Sequence, residues 1–379
     1  MNILFITHHD NFQGSSRSLM SLIEGLLGLG ITPFVVNPAK SAFTEALEDH
    51  GVQFVVLPIP WWVAEKSFTL KEKLKHAREI RSSVERIKAL IQEWHIDLVY
   101  TNTSVIPVGF LAARYTHLPH IWHIREYFYL YFGWKYIFPA WLSKFIFSRS
   151  DAIICHARGV QQYYFPSSPA NVHHVYNGVA TIPEMEKRLQ ARLSKPEKHT
   201  FTFAMLSNIN PKKGQEQAIQ ALARLREDAS DARLFIVGNG KPDYVNYLQQ
   251  LVTDLDLTDC VTFTGLADDP FPYFFSADCT LICSEFEALS RVGLEAMSAA
   301  LPVIGKNSGG NPEIIEHGTT GFLYDSFEEL VTYMKRMVQK PEEARQMGLA
   351  GWQRARDLFN IEDYAVNVYR VIQSVMEKR

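Results

Sequence analysis

Short apolar runs rich in β-branched residues alternate along this chain with longer stretches whose apolar positions recur at helical spacing. In the first half the runs are Ile3–Thr7, Pro33–Asn37, Phe54–Pro58, Leu98–Asn102, His120–Ile124 and Ala152–Cys155. Between them the spacing predicts helices, among them Arg17–Leu29 and the charged stretch Lys71–Trp94. Strands separated by helices imply βαβ units and a parallel sheet. The alternation pauses after Val175-Tyr176-Asn177-Gly178-Val179, and the polar stretch 180–199, with Pro183 and Pro196, reads as a linker. A second series then runs Phe201–Leu206, Leu234–Val237, Val261–Thr264, Thr280–Cys283 and Val303–Gly305. The expected fold class is α/β. Two Rossmann-like, doubly wound domains, 1–180 and 181–360, would face each other across a deep cleft, and a C-terminal helix, about 361–379, would return to the first domain.

The chain's 379 residues suit two domains rather than one core. Hydrophobic residues make up 47% and charged residues 21%, the balance of a globular protein rather than a disordered one. A net charge of −3 supplies no field for capturing nucleic acid, so no nucleic-acid partner is expected. Cys155, Cys260, Cys279 and Cys283 form no CxxC, and each lies in or beside a strand-like run, as buried free thiols of a reducing compartment do. The N-terminus, MNILFITHHD, reads as a strand rather than a signal peptide, and no apolar run reaches the length of a membrane span.

The chemistry concentrates in CSEFEALSRVGLEAMSAALPVIGKNSGG, Cys283 to Gly310. Glu287 falls in the loop after a strand, and Glu295 lies about one turn into a helix expected over Arg291–Ala299. Ligands of open α/β sheets bind outside the carboxyl ends of the strands. A carboxylate there can accept two hydroxyl donors, as a ribose offers. The amides of Leu289 and Ser290, at the mouth of the helix, suit a phosphate. The bland alternative is a solvated loop glutamate and a first-turn helix glutamate.

This stretch resembles the retaining, GT-B-fold glycosyltransferases of family 4. Their signature is E-x7-E with Ala-Met after the second Glu, then Pro-Val-Ile, Gly-Gly and Pro-Glu. Here those are Glu287, Glu295-Ala296-Met297, Pro302-Val303-Ile304, Ser308-Gly309-Gly310 and Pro312-Glu313-Ile314-Ile315, followed by Gly318 and Gly321-Phe322. The resemblance implies that Glu295 binds the nucleotide ribose and that Glu287 lies at the donor sugar. Where this chain has Leu289-Ser290 the family usually has Phe-Gly, and where it has Ala300 the family has Gly.

Further candidates follow. In SNINPKKG, Ser207 to Gly214, Lys213 stands at a strand-to-helix turn, where a diphosphate is well held. Alone it reads as a surface lysine; the resemblance makes it a phosphate ligand, with Asn208 in place of the family's usual Arg. Gly14, in the loop His8–Ser18, allows close backbone approach and alone reads as part of an ordinary βα loop; the resemblance turns it toward the donor phosphates, with Ser15 and Ser16 on the acceptor side. Gly238 and Gly265 complete the donor-side set; no full G-x-G-x-x-G fingerprint exists, because Asp243 stands at the third position after Gly238-Asn239-Gly240. In PHIWHIREYF, His120 and His123 point to opposite faces of a strand and cannot share a metal. His123 and Arg125 share a face, with Glu126, an acceptor-side candidate, at the strand end. The resemblance puts a sugar-contacting catalytic residue here, His123 or Arg125, and His120 reads as a core histidine. Asp254-Leu255-Asp256 mimics a metal-binding D-x-D but reads as a solvated helix end, and Asn102-Thr103-Ser104 is a formal glycosylation sequon without relevance at a cytoplasmic strand end.

The resemblance thus implies a metal-independent enzyme without a cofactor. It would move a sugar from a UDP- or GDP-sugar to a glycan or lipid-linked acceptor, with front-face displacement and retention. The catalytic set would be Glu287, Arg125, His123 and Lys213. A sugar-nucleotide epimerase or hydrolase of the same fold, or a non-catalytic sugar-nucleotide-binding subunit, are the alternatives. Glu65–Lys88 holds eight Lys/Arg against four Glu, and Tyr127–Phe147 mixes aromatics with Lys135 and Lys144. Buried helices with snorkelling lysines are the plainer reading of such mixtures; the other is peripheral contact with the inner face of a cytoplasmic membrane.

Overall fold

The computed structural model describes residues 1–8, 14–65, 67–127, 133–194, 200–227, 231–267 and 269–378. The chain divides into two compact units, Met1–Gly178 with Ile361–Arg379, and Val179–Asn360.

The first unit holds strands β1 (Asn2–Ile6), β2 (Thr32–Asn37), β3 (Gln53–Val56), β4 (Val63–Ala64), β5 (Leu98–Thr101), β6 (His120–Ile124), β7 (Lys135–Tyr136), β8 (Ala152–Cys155) and β9 (Val172–His174). Seven of them form a sheet in the order β3-β2-β1-β5-β6-β8-β9, and every pairing is parallel. The pair β4–β7 is antiparallel and stands apart. Helices fill the crossovers and cover the sheet, so β5, β6 and β8 are buried at every position, as the near-continuous apolar runs require. The final helix, Ile361–Met376, packs Tyr364, Val368, Val371, Ile372 and Val375 into the core shared by β1, β5 and the helix Gly14–Leu27. At about 1.5–3 kcal/mol for each fully buried large side chain, this burial alone anchors the helix.

The second unit repeats the plan with β10 (Thr202–Leu206), β11 (Arg233–Val237), β12 (Val261–Gly265), β13 (Cys279–Ile282), β14 (Val303–Lys306) and β15 (Gly321–Tyr324), all parallel in the order β12-β11-β10-β13-β14-β15. In each sheet the strand order reverses once, between β1 and β5 and between β10 and β13. All four cysteines are free and buried.

The proposed linker is corrected. Residues Ile182–Leu193 form a helix of the second unit. Thr181 and Glu184 make a capping box across its start, and Pro183 sits in the first turn, where a missing N–H costs nothing. Met185 is fully buried, and its carbonyl accepts from the Trp352 indole. The apolar pattern also predicts no strand for the short pair β4–β7 or for two strands of the main sheets, β9 and β15. β9 and β15 are short, and β15 opens on a glycine, so neither shows a clear apolar run. Residues 9–13 of the His8–Ser18 loop, 128–132 of the Tyr127–Phe147 segment and 195–199 of the polar stretch lie outside the described residues.

His120 is a core histidine. Its ring bonds Thr101 Oγ1 at 2.8 Å and Ser150 Oγ at 3.1 Å, and burial pushes its pKa down to about 3. His156, buried beside the Ile124 carbonyl, is also held at about 3, first by burial and then by the Arg125 charge. Both bind a proton near the usual 6.5 only after unfolding. Stability is therefore full above about pH 6.5 and falls from there toward about pH 3, by about 1.4 kcal/mol per pH unit for each histidine. Urea unfolding followed across this range is expected to show that slope, and His120→Gln to reduce it by one proton's worth.

Candidate functional site

The residues with the strongest sequence signal lie at the carboxyl ends of β10 and β13, where the second sheet's order reverses. After β10 a single 3-10 turn, Pro211–Lys213, lifts Lys213 toward the next loop. Its Nζ meets Glu287 Oε1 at 2.5 Å, with both side chains under one-fifth exposed. The Glu285 amide donates to the Lys212 carbonyl at 3.2 Å, so the two loops are tied by backbone as well as by charge. Gln215, fully buried at the head of the following helix, donates to Ser207 Oγ and the Asn208 carbonyl and holds the first loop's shape. Asn208 offers its backbone to this network while its side chain is exposed.

Ser308-Gly309-Gly310 explains itself against the Glu287 loop. Ser308 Oγ donates to the Glu285 carbonyl at 2.7 Å, and the Gly310 amide to the Glu287 carbonyl at 2.7 Å. A Cβ on Gly309 would stand 2.1 Å from the Glu287 carbonyl oxygen, and one on Gly310 2.1 Å from that of Ala288. Only glycines admit the loop this close, so these residues set where Glu287 stands.

The helix Arg291–Ser298 begins on Ser290, whose hydroxyl accepts from the Gly293 amide at 3.2 Å. Ser290 is thus a helix cap and closes one of the helix's unpaired N–H groups. Leu289 and Ser290 are both buried. Glu295 is only 4% exposed, and Arg291 Nε donates to its Oε1 at 2.9 Å, which holds the carboxylate in one orientation. Gly238 and Gly265 sit at the ends of β11 and β12 and are joined by a 2.8 Å backbone bond. A Cβ on Gly238 would fall 2.0 Å from the Ser207 carbonyl oxygen, so that face is filled by protein backbone.

In the first unit a second cluster forms at the ends of β5 and β6. Arg125 is 6% exposed, and the hydrogen-bond partners of its guanidinium among the described residues are neutral. Its Nε donates to Asn102 Oδ1 at 2.7 Å, Nη1 to Asn177 Oδ1 at 2.5 Å, and Nη2 to the Tyr364 hydroxyl at 2.6 Å. Nη2 also lies 3.1 Å from His123 Nδ1. A guanidinium can only donate, so Nδ1 accepts, and the imidazole proton resides on Nε2. Burial, then the Arg125 charge, holds the His123 pKa well below its usual value, and the ring stays neutral. His123 Nε2 is buried and has no partner among the described residues. Tyr100 closes the cluster with its hydroxyl 2.6 Å from His123 Nδ1.

Glu126 turns the other way. Its Oε1 accepts from Thr103 Oγ1, the Ser104 amide and Ser104 Oγ at 2.6–2.7 Å, and Oε2 from the Arg125 amide at 3.0 Å. Its carboxylate therefore organises the loop after β5. Gly14 opens the helix after β1; Ser15 follows, and its carbonyl accepts from Asn102 Nδ2 at 3.4 Å. The buried hydroxyls of Thr7, Ser15 and Ser16 have no hydrogen-bond partner among the described residues. Asp254 ends the helix Pro242–Asp254 with its carboxylate taking the Gln250 amide, as a solvated helix end does.

Tyr364, Asn177 and Tyr100 were not singled out by sequence reasoning. Tyr364 sits on the apolar stripe of the final helix, where one hydroxyl leaves no trace in the pattern. Asn102, Thr103 and Ser104, set aside as a formal sequon, turn out to hold both Arg125 and Glu126.

A family likeness runs through both units. The model for glycosyltransferase family 4 matches residues 12–181, and that for glycosyl transferases group 1 matches residues 186–354. The chain belongs to this glycosyltransferase family. A GDP-mannose-dependent alpha-(1-6)-phosphatidylinositol monomannoside mannosyltransferase of Mycobacterium tuberculosis is 35% identical over 161 residues, 40% of this chain and 41% of the relative. The chain thus spans about two-fifths of that relative's length, and no more than about half the length of the first curated relatives it matches. The fold is that of Anabaena Alr3699/HepE, solved with UDP and glucose, at a TM-score of 0.77 and 21% identity over 99% of this chain and 100% of that one. A glycosyltransferase from Rickettsia africae has a TM-score of 0.80 at 17% identity, covering 100% of this chain and 99% of its own.

Replacing Arg125 with Met removes the donor from Asn102, Asn177 and Tyr364 and leaves three buried acceptors without it. Unfolding free energy is expected to fall by at least about 3 kcal/mol. Hydrogen exchange is expected to rise in the helix Ile361–Met376, which a purely local defect would leave protected.

Proposed function

We propose that this protein is a retaining glycosyltransferase that takes a sugar from a UDP- or GDP-sugar and passes it to a glycan or lipid-linked acceptor without a metal ion. The observation that carries the reading is the Lys213–Glu287 pair beside buried Glu295, at the point where the second sheet's strand order reverses. The family membership supports it, as do the names of relatives, one GDP-mannose-dependent and one solved with UDP and glucose.

In this reading the second unit holds the donor. Glu295, already oriented by Arg291, accepts the ribose hydroxyls. Lys213 exchanges its Glu287 partner for the donor diphosphate, and the carboxylate it releases turns to the sugar hydroxyls. The two charges keep each other compensated until the anionic ligand arrives, which lowers the cost of burying them. The acceptor hydroxyl attacks the anomeric carbon from the face that the diphosphate leaves. The C1–O bond to phosphate breaks as the new glycosidic bond forms, and the acceptor's proton passes to a phosphate oxygen. Lys213 and the backbone amides around it stabilise the leaving charge. Arg125 spends its donors within the protein, so His123 is the sugar-contacting group of its strand and donates from Nε2. Arg125 positions His123, and burial together with the Arg125 charge keeps the ring neutral; Glu126 positions the loop after β5. Ser15 and Ser16 face the acceptor in the first unit.

A thermal-shift panel of UDP-, GDP- and ADP-sugars tests the donor class, since a ligand that binds the folded state raises apparent stability. With the nucleotide so identified, Glu295→Ala is expected to weaken its binding in calorimetry, and unchanged affinity removes the ribose assignment. Lys213→Ala is expected to lower kcat/KM by at least about tenfold, a loss of at least about 1.4 kcal/mol in transition-state binding. A wild-type rate in that variant would refute the phosphate role.

A further inference from the structure

The first unit holds a cavity of about 980 Å³ that none of the proposed sugar chemistry uses. It lies between the segment Trp134–Pro139, the helices Ala140–Ser148 and Arg158–Tyr164, and the strand β9. Tyr136, Phe147, Tyr163, Tyr164 and Phe165 make its walls aromatic, and the volume is that of a ligand site. The inner wall is braced. Phe147 packs edge-on against Trp122 and Trp62, with ring centroids 4.6 and 5.9 Å apart, and the Tyr164 hydroxyl donates to the Glu126 carbonyl at 3.0 Å. A void lined this way stays open because its walls are held from behind.

Three cations line the same cavity: Lys73 from the helix Leu70–Glu93, Lys135 from β7, and Lys144 from the helix Ala140–Ser148. None of the three pairs with a carboxylate among the described residues. Beside them, Leu70 and Leu74 are 74% and 55% exposed, and Trp141 and Phe145 are 67% and 50% exposed. Large apolar side chains in water next to unpaired lysines, around an aromatic hole, match the layers of a bilayer surface: headgroup charge, interface and hydrocarbon. A soluble anion would use the lysines and leave the four exposed apolar residues without a role. No helix among the described residues is long and apolar enough to cross a membrane.

We propose that this cavity takes a hydrocarbon chain of an anionic bilayer lipid, with Lys73, Lys135 and Lys144 on the headgroup and Leu70, Leu74, Trp141 and Phe145 at the membrane interface. The inference is independent of the donor chemistry, because chain binding is read without any glycosyl transfer.

The test uses the full chain with phosphatidylcholine vesicles, with and without phosphatidylglycerol carrying brominated acyl chains. Bromine quenches only nearby indoles, and Trp134 lines the cavity. The signal lost between wild type and Trp134→Phe isolates this residue. Quenching of Trp134 is expected with phosphatidylglycerol and not with phosphatidylcholine alone. Lys73→Gln/Lys135→Gln/Lys144→Gln is expected to weaken vesicle binding by at least about tenfold. Ser148→Phe/Ser167→Phe, which narrows the cavity from two exposed lining positions, is expected to keep vesicle binding and lose the Trp134 quenching. Equal binding to both vesicle types overturns the proposal. So does vesicle binding without Trp134 quenching in the wild type, or quenching that survives in the narrowed variant. Unchanged circular dichroism in each variant separates these outcomes from misfolding.

Discussion

A guanidinium buried among neutral acceptors sets the architecture of the first unit. Arg125 stands at the end of β6 and gives its donors to Asn102 after β5, Asn177 after β9 and Tyr364 on the final helix. A buried cation with no carboxylate partner among the described residues is tolerable only when its hydrogen bonds are made. That requirement brings three loop ends and a helix distant in sequence to one point. Burial first, and then the Arg125 charge, keeps His123 neutral, and the donor-only neighbour assigns the imidazole's acceptor nitrogen.

The second unit solves a related problem differently. Lys213 and Glu287 are mostly buried with opposite charges in contact, and each compensates the other. Their loops are fixed by backbone rather than by side chains. The glycines at 309 and 310 let the Glu287 loop lie directly on its neighbour, and Ser308 clamps it. Under the proposed function, loops fixed in this way keep both charges in place until the anionic donor arrives.

Most of the parallel strands were legible because buried strands are written as unbroken apolar runs; β6 and β8 begin and end where the runs do. The helix Ile182–Leu193 was hidden because it shows a polar face and a proline, although its capping box is present as Thr181 and Glu184. In the candidate site, Glu287, Glu295 and Lys213 were visible as charged residues at strand-to-helix loops. Ser290 was visible as a backbone amide at the helix mouth and as a departure from the family pattern, and the structure makes it a helix cap.

What the sequence determined by itself was therefore periodic or local: the α/β class, the two strand series, the loops that carry charge, and the core nature of His120. Hydrophobic period and turn chemistry act over a few residues and survive in a linear string. The tertiary structure alone decided which distant groups meet. Tyr364 reaching Arg125 across 239 positions, Glu126 gathering Thr103 and Ser104, and Lys213 closing on Glu287 across 74 positions depend on strand order and helix packing. Those contacts are set by burial summed over whole elements, and no single segment of the chain encodes them.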